Sequence, residues 1–235
     1  MAKRIIFKAL NNIVGVEIIE INFEYYSGFS LQQKQKSIKS LHDNAKKQGY
    51  ENILEVSTKS PIELGVLLSA FNLSAKTQKY SYEFSVERAF QASKVFEKGG
   101  PYVDILKMTS REAKMDSRLK NSGGLLKFKF FDYTFETNPP TYFYDWLYIN
   151  TLLKNNELIE KICEYNIFSD IEFNQMKSIN CQAYSLALFK SLINNNISLE
   201  NLKEPKIFLD KTSIEYCKRW NNNIQNIDFK LDITN

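Results

Sequence analysis

Three side chains in one short stretch have the types needed for proton transfer, for attack on carbon and for holding a ligand. They are Glu87, Gln91 and Lys94, within Ser85-Val-Glu-Arg-Ala-Phe-Gln-Ala-Ser-Lys-Val-Phe-Glu-Lys98. A carboxylate gives or takes a proton and steadies a developing positive charge, and a neutral lysine amine is a nucleophile. On a helical wheel Val86, Ala89, Phe90, Ala92, Ser93 and Phe96 fall on one side, with Glu87, Gln91, Lys94 and Lys98 in a narrow stripe beside them. Ser85 is placed to cap the first turn, where the positive end of the helix dipole favours the carboxylate of Glu87. Glu87 and Lys94 then stand about 10 Å apart along the axis at about 1.5 Å per residue. That is too far for an i,i+4 pair but suits two groups flanking a ligand. The same stripe is also what an ordinary solvated surface helix presents.

Other chemistries have few residues to draw on. The single histidine, His42, cannot assemble a zinc site with a second histidine; followed by Asp43 in a lysine-rich stretch, it reads as an exposed helix residue. Cys163, Cys181 and Cys217 lie far apart, without the spacing of a disulfide framework or a zinc ligand set. Neither a metal nor a cofactor is expected, and carboxylates and lysine are left for catalysis. A net charge of +4 permits contact with a polyanion without requiring it. Hydrophobic content of 43% argues against disorder. The longest apolar runs are too short for a membrane span, and a cytoplasmic protein is expected.

The elements that must position these residues are legible in outline, and 235 residues fit one domain. Arg4 to Ala9 and Val14 to Tyr26 read as strands about an Asn11-Asn12 turn. Leu31, Ile38, Leu41 and Ala45 set a helix whose other face carries Lys34, Lys36, Lys39, Lys46 and Lys47, either solvated or meeting phosphates. A short strand at 52–57 leads to a helix that Ser60, Pro61 and Glu63 should open, ending at Ser69, Phe71 and Asn72. The Glu87 helix should run to Gly99. Thr109-Ser-Arg-Glu112 is a capping box opening a helix to about Asn121, with Arg111 able to clamp a phosphate. Leu125 to Phe135 reads as one strand, and Thr141 should cap an aromatic-rich helix more suited to a core than to base stacking. A helix at 156–165, an extended piece with Asp170 and Glu172, and a helix after Asn180 follow. The Asn- and Lys-rich end holds two weaker helices.

Ser-Val-Glu-x-x-Phe-Gln-x-x-Lys at 85–94 resembles the signature of the NADAR superfamily of ADP-ribose-handling N-glycosidases, and Leu68-Ser-Ala-Phe-Asn72 resembles its Leu-Ser-x-Phe element. Asn180 and the helix after it resemble the superfamily's Asn-containing final motif. The Trp-Gly-rich loop usual in small-molecule relatives is replaced by Asn174-Gln-Met-Lys-Ser-Ile179. The segment from Tyr26 to His42, together with Gly99-Gly-Pro-Tyr102, Phe143-Tyr-Asp-Trp-Leu-Tyr-Ile-Asn150 and Ser178-Ile-Asn-Cys-Gln-Ala183, is similar to the antitoxin branch associated with DarT-type toxins.

That resemblance implies an α+β, helix-rich single domain of the NADAR (YbiA-like) type with a small N-terminal β element. Residues 1–195 would form the catalytic unit and 196–235 a helical extension packed on it. It further implies a glycohydrolase that removes ADP-ribose from guanine in DNA, as antitoxin to a DarT-type toxin, with ADP-ribose as product. Lys94 would be the nucleophile and Glu87 the acid/base. Ser69, Phe71, Asn72, Gln91, Arg111, Asp170, Glu172 and Asn180 would hold the ligand, and Lys34, Lys36 and Lys39 would touch DNA. An N-glycosidase of a free metabolite, or a binder of modified DNA or of the toxin without turnover, are the alternatives.

Overall fold

The computed structural model describes residues 1–76 and 82–231 of the chain. In chain order the strands are β1 (Ala2–Ala9), β2 (Val16–Phe23), β3 (Ile53–Glu55), β4 (Ser74–Lys76), β5 (Glu83–Ser85), β6 (Lys94–Phe96), β7 (Leu125–Phe130), β8 (Tyr133–Glu136) and β9 (Ile167–Ser169). The helices are α1 (Leu31–Lys47), α2 (Glu63–Leu67), α3 (Val86–Ala92), α4 (Ser110–Met115), α5 (Arg118–Asn121), α6 (Tyr142–Leu152), α7 (Asn156–Ile162), α8 (Gln182–Asn194) and α9 (Pro205–Leu231).

Alternation in the first two strands makes a hairpin in which Ala2 faces Phe23 and Ala9 faces Val16. The hairpin extends into a sheet of order β2-β1-β9-β3, in which β9 runs antiparallel to β1 and parallel to β3. Successive side chains of β1 point to opposite faces. Ile6 joins Ile21, Phe23, Ile38, Leu41 and Ala45 under α1, while Ile5 and Phe7 join the main core, where Phe7 meets Tyr184 of α8 edge to face at 5.7 Å. The sheet therefore lies between α1 and α8, and its β9 and β3 ends carry polar residues into the interior.

The main core centres on α6, whose aromatic and aliphatic side chains point to every side and which is buried almost throughout. Phe128 of β7 and Phe135 of β8 lie 4.7 and 4.8 Å from the Phe143 ring, and Phe90 of α3 meets Tyr144 edge to face at 5.1 Å. Burial of each such ring contributes about 1.5–3 kcal/mol, so this packing fixes α3 and the β6-β7-β8 sheet relative to α6. Segment 196–218 shares the core: Leu202 and Phe208 are fully buried, Trp146 Nε1 donates to the Lys203 carbonyl, and Tyr184 donates to Glu215 at 2.8 Å. Residues 232–235 lie outside the described residues. No helix of the described residues is long and apolar enough to cross a membrane.

Several expected boundaries move, each for a local physical reason. The helix at 85–98 stops at Ala92, because Ser93 turns its Oγ back onto the Ala89 carbonyl and its own carbonyl accepts from Lys129 N–H. Lys94 to Phe96 then pair with β7. Ser60 does not cap α2: its Oγ accepts from Ile62 N–H, and the helix starts at Glu63. The helix expected over 109–121 splits at Asp116, whose carboxylate accepts from Arg118 N–H and guanidinium. Leu125 to Phe135 is a hairpin turning at Phe131, which has a left-handed φ of 49°. Thr141 is also left-handed, and it gives its hydroxyl to Asp145 instead of capping the backbone. Leu31, expected in the core, is exposed. The two weak C-terminal helices are a short 3-10 turn at Glu200–Lys203 and the long α9. The capping box at Thr109 and Glu112 forms as expected.

Candidate active site

The site is built where the end of α2 meets the start of α3. Ser85 Oγ accepts from Arg88 N–H and caps α3, while the backbone N–H groups of Val86 and Glu87 donate to the carbonyls of Leu73 and Ala70. Segment 69–73 is thus fastened along the first turn of α3. Ser69 and Asn72 close α2, both donating to the Val66 carbonyl, so these two side chains serve the turn itself. Gly65 makes this packing possible, since a Cβ there would run into the Glu55 carbonyl and Ser60.

Glu87 is only 6% exposed and accepts from Gln91 Nε2 at 2.9 Å. The other amide atom, Gln91 Oε1, is buried with no hydrogen-bond partner among the described residues. An acceptor left open inside a protein costs free energy unless a donor reaches it, and a sugar hydroxyl is such a donor.

Lys94 feels the charge of this carboxylate from β6, not from the helix. Its Nζ lies 4.7 Å from the centre of the Phe90 ring. Burial lowers its pKa from 10.5 to about 8, against the opposing pull of Glu87 and helped by the charge of Lys114. At pH 7 about a tenth of this amine is therefore unprotonated, far more than for an ordinary lysine. Gly100, at φ 93°, packs on the Lys94 backbone so tightly that a Cβ would strike the Lys94 carbonyl oxygen. This explains why the Gly99-Gly100-Pro101 loop follows Lys94 so closely. Lys114 of α4 stands 5.3 Å from the Phe71 ring, which brings Phe71, Lys114 and Lys94 into one neighbourhood.

Asp170 enters from the far side of segment 69–73. Gln182 accepts from Ala70 N–H at 2.6 Å, donates to the Val56 carbonyl at 2.6 Å and hydrogen-bonds Asp170. Since Ala70 also accepts from Glu87 N–H, a continuous chain of bonds joins the two acids. The Tyr144 hydroxyl feels both: burial pushes its pKa well up, and the charges of Glu87 and Asp170 add to it. Glu87, Gln91, Lys94, Phe71, Tyr144, Asp170 and Gln182 are the residues the fold brings together.

Other expected site residues stand apart. Glu172 is exposed and paired with Lys34 at 2.9 Å, and that lysine also lies over Tyr25. Arg111 is exposed on α4. Asn180 is half-buried just before α8, its carbonyl accepting from Ser178. Lys36 and Lys39 are exposed along α1 and form the ridge between two surface hollows of about 550 and 510 Å³. The first is lined by Gln32, Gln35, Lys36, Ile38, Lys39, His42 and Pro61, with no carboxylate; the second includes Glu24 and Asp43.

His42 is not the exposed residue expected. It is half-buried, its Nε2 is 2.8 Å from Ser169 Oγ, and burial lowers its pKa to about 4. Sequence reasoning also missed Glu55 and Tyr144. A lone acid in the apolar run Ile53-Leu54-Glu55-Val56 is a signal for the first; nothing distinguished Tyr144 from its aromatic neighbours. Among the described residues no three His, Cys, Asp or Glu side chains form a cluster that could hold a metal ion.

No curated protein matches the chain. A family model described as "DarT1-associated NADAR antitoxin" matches residues 2–221, nearly the whole chain, and the α+β fold with its N-terminal strands agrees with that assignment. The chain belongs to the DarT1-associated NADAR antitoxin family.

Proposed function

We propose that the protein removes ADP-ribose from guanine bases in DNA, with Lys94 as nucleophile and Glu87 as the proton-transfer group. Family membership carries the antitoxin role and the N-glycosidase class; the DNA substrate, the base and the residue roles are this reading's own. The observation that carries it is a half-buried amine with a lowered pKa, within the electrostatic reach of a buried carboxylate that holds an open amide acceptor. Those are the groups that attack on an anomeric carbon requires.

Atoms and electrons balance at each step. Opening of the ribose ring turns the glycosidic carbon into an imine of guanine's exocyclic amine, the nitrogen's proton passing to the ring oxygen with Glu87 as carrier. The neutral Lys94 amine adds to that carbon. Guanine departs with both protons lost by the lysine nitrogen, leaving a lysine imine of the sugar. Water cleaves the imine, restoring the amine and releasing ADP-ribose. Gln91 Oε1 would accept from a ribose hydroxyl. The DNA strand beside the modified base would lie along the hollow whose lining holds Lys36, Lys39 and His42 but no carboxylate. On this reading residues 1–195 supply the chemistry, and the segment from 196 to the end of α9 is the helical extension that steadies α6 and α8.

Treatment with borohydride during turnover of an ADP-ribosylated oligonucleotide tests the mechanism. The expected result is one ADP-ribose unit fixed on the Lys94 peptide, absent in Lys94→Arg, which keeps the charge but forms no imine. Near-normal turnover by Lys94→Arg would replace the covalent step with attack of water assisted by Glu87.

A further inference from the structure

Glu55 is a carboxylate 1% exposed, at the end of β3, with no cation among its hydrogen-bond partners. It accepts from Ser57 Oγ at 2.7 Å, from Ser169 Oγ at 2.6 Å and from Ile171 N–H at 2.8 Å. The last two donors are the chain neighbours of Asp170 on either side, so Glu55 holds one flank of that residue through the Ser169 hydroxyl and the other through the Ile171 backbone N–H. Ser169 spends its proton on Glu55 and therefore accepts from His42 Nε2–H, which fixes the His42 tautomer and ties α1 to the bracket. Asp170, also buried, accepts from Glu172 N–H at 2.9 Å and from Gln182.

Glu55 and Asp170 are both buried, no cation among the described residues is paired with either, and the charge of Glu55 disfavours a second negative charge on Asp170. Three donors favour the ionised form of Glu55, whereas Asp170 has fewer. Burial first and Glu55 second push Asp170 well above the ordinary carboxylate range. The other groups facing the pair are Glu172 on the same loop with its ion-pair partner Lys34, His42 through Ser169, and Tyr144 and Tyr148 of α6. Glu172 opposes a second negative charge, and the buried tyrosines supply no positive one.

We infer that Glu55 is a positioning residue of the site: it clamps Asp170 from both flanks, and the pair holds a single proton on Asp170, which therefore meets the ribose as a hydrogen-bond donor. Glu87 and Asp170 then divide the work, Glu87 taking protons and Asp170 supplying a donor to a sugar oxygen as the ring opens. This inference rests on the glycohydrolase reading for the identity of the sugar, but not for the shared proton.

Two measurements separate the parts. In the pH profile of kcat/KM on an ADP-ribosylated guanosine, the alkaline limb reports loss of the Asp170 proton. Glu55→Gln keeps the shape and most of the hydrogen bonds but removes the like charge, so Asp170 ionises more readily. The alkaline limb should move toward acid by about one pH unit or more, and kcat should fall about fivefold or more at pH 8 while the melting temperature changes little. An unmoved limb in a folded variant overturns the proposal. Should Glu55→Gln not fold, carboxyl-carbon NMR of the wild-type protein decides: one aspartate that titrates above pH 6 and disappears in Asp170→Asn supports the pair, and ordinary acidic titration of Asp170 overturns it. Absence of turnover in the wild-type protein would instead refute the glycohydrolase reading, whatever the titration shows.

Discussion

Replacing Lys94 with methionine should stabilise the protein while abolishing turnover. The amine's pKa falls from 10.5 to about 8 on folding, and burial is the main cause. Those 2.5 units, at about 1.36 kcal/mol each, cap the cost of carrying this charge into the folded state at about 3 kcal/mol near neutral pH. The side chain is only half-buried, and its contact with the Phe90 ring survives in part with methionine, so about 1–3 kcal/mol is the gain to expect. For a chain of this size that corresponds to a rise in Tm of about 2–10 °C. The sign of the pH dependence follows from the lowered pKa. Between pH 8 and 10.5 the unfolded chain binds more protons at this site than the folded one, so wild-type stability rises with pH across that window and levels off above it. The variant has no such group. Its advantage should be greatest at pH 7 and nearly gone at pH 10.5, as read by thermal melts at both values. A variant that melts at or below the wild-type temperature at pH 7, or a difference that does not depend on pH, would refute the claim that Lys94 is held against its charge.

Glu87→Gln should lower kcat by about 10²–10⁴-fold on modified oligonucleotide, while binding of ADP-ribose measured by calorimetry stays within about tenfold. Gly100→Ala combines a disfavoured φ with a collision at the Lys94 carbonyl, and should cost at least about 1 kcal/mol in denaturant melts together with a drop in turnover; an active, equally stable variant would show that the loop is free to move away. Lys36→Glu with Lys39→Glu should weaken binding to a single-stranded oligonucleotide and reduce the slope of log K against log salt by about 0.7 for each phosphate no longer neutralised. Hydrolysis of the free modified nucleoside should fall at least about tenfold less than that of the oligonucleotide, and equal losses would remove α1 from the DNA path.

Much of the local structure is determined by short stretches acting alone. The β1-β2 hairpin follows from two runs rich in Val, Ile and Phe with rough alternation about an Asn11-Asn12 turn, α1 from its Ile38, Leu41 and Ala45 spacing, and the start of α4 from a capping box whose two bonds close within four residues. The string from Ser85 to Lys94 likewise carries the site's residue types and the family resemblance without any fold. Position in space was another matter. Helical spacing put Glu87 and Lys94 on one stripe, yet Lys94 stands on a strand, because its backbone gains more from pairing with Phe128 in β7 than from continuing the helix past Ser93. Local propensity has no information about a partner 34 residues away. The same holds for Glu55 and Asp170, and for His42 and Ser169: each pair is separated by more than a hundred residues and meets only because β9 inserts between β1 and β3. Burial, which sets the charge of Lys94 and of Asp170, belongs to the packed interior as a whole. It arises when α3, α6 and α8 close around these side chains and exclude water, so residue type alone names the acids and the amine, and tertiary structure decides which of them carry a proton.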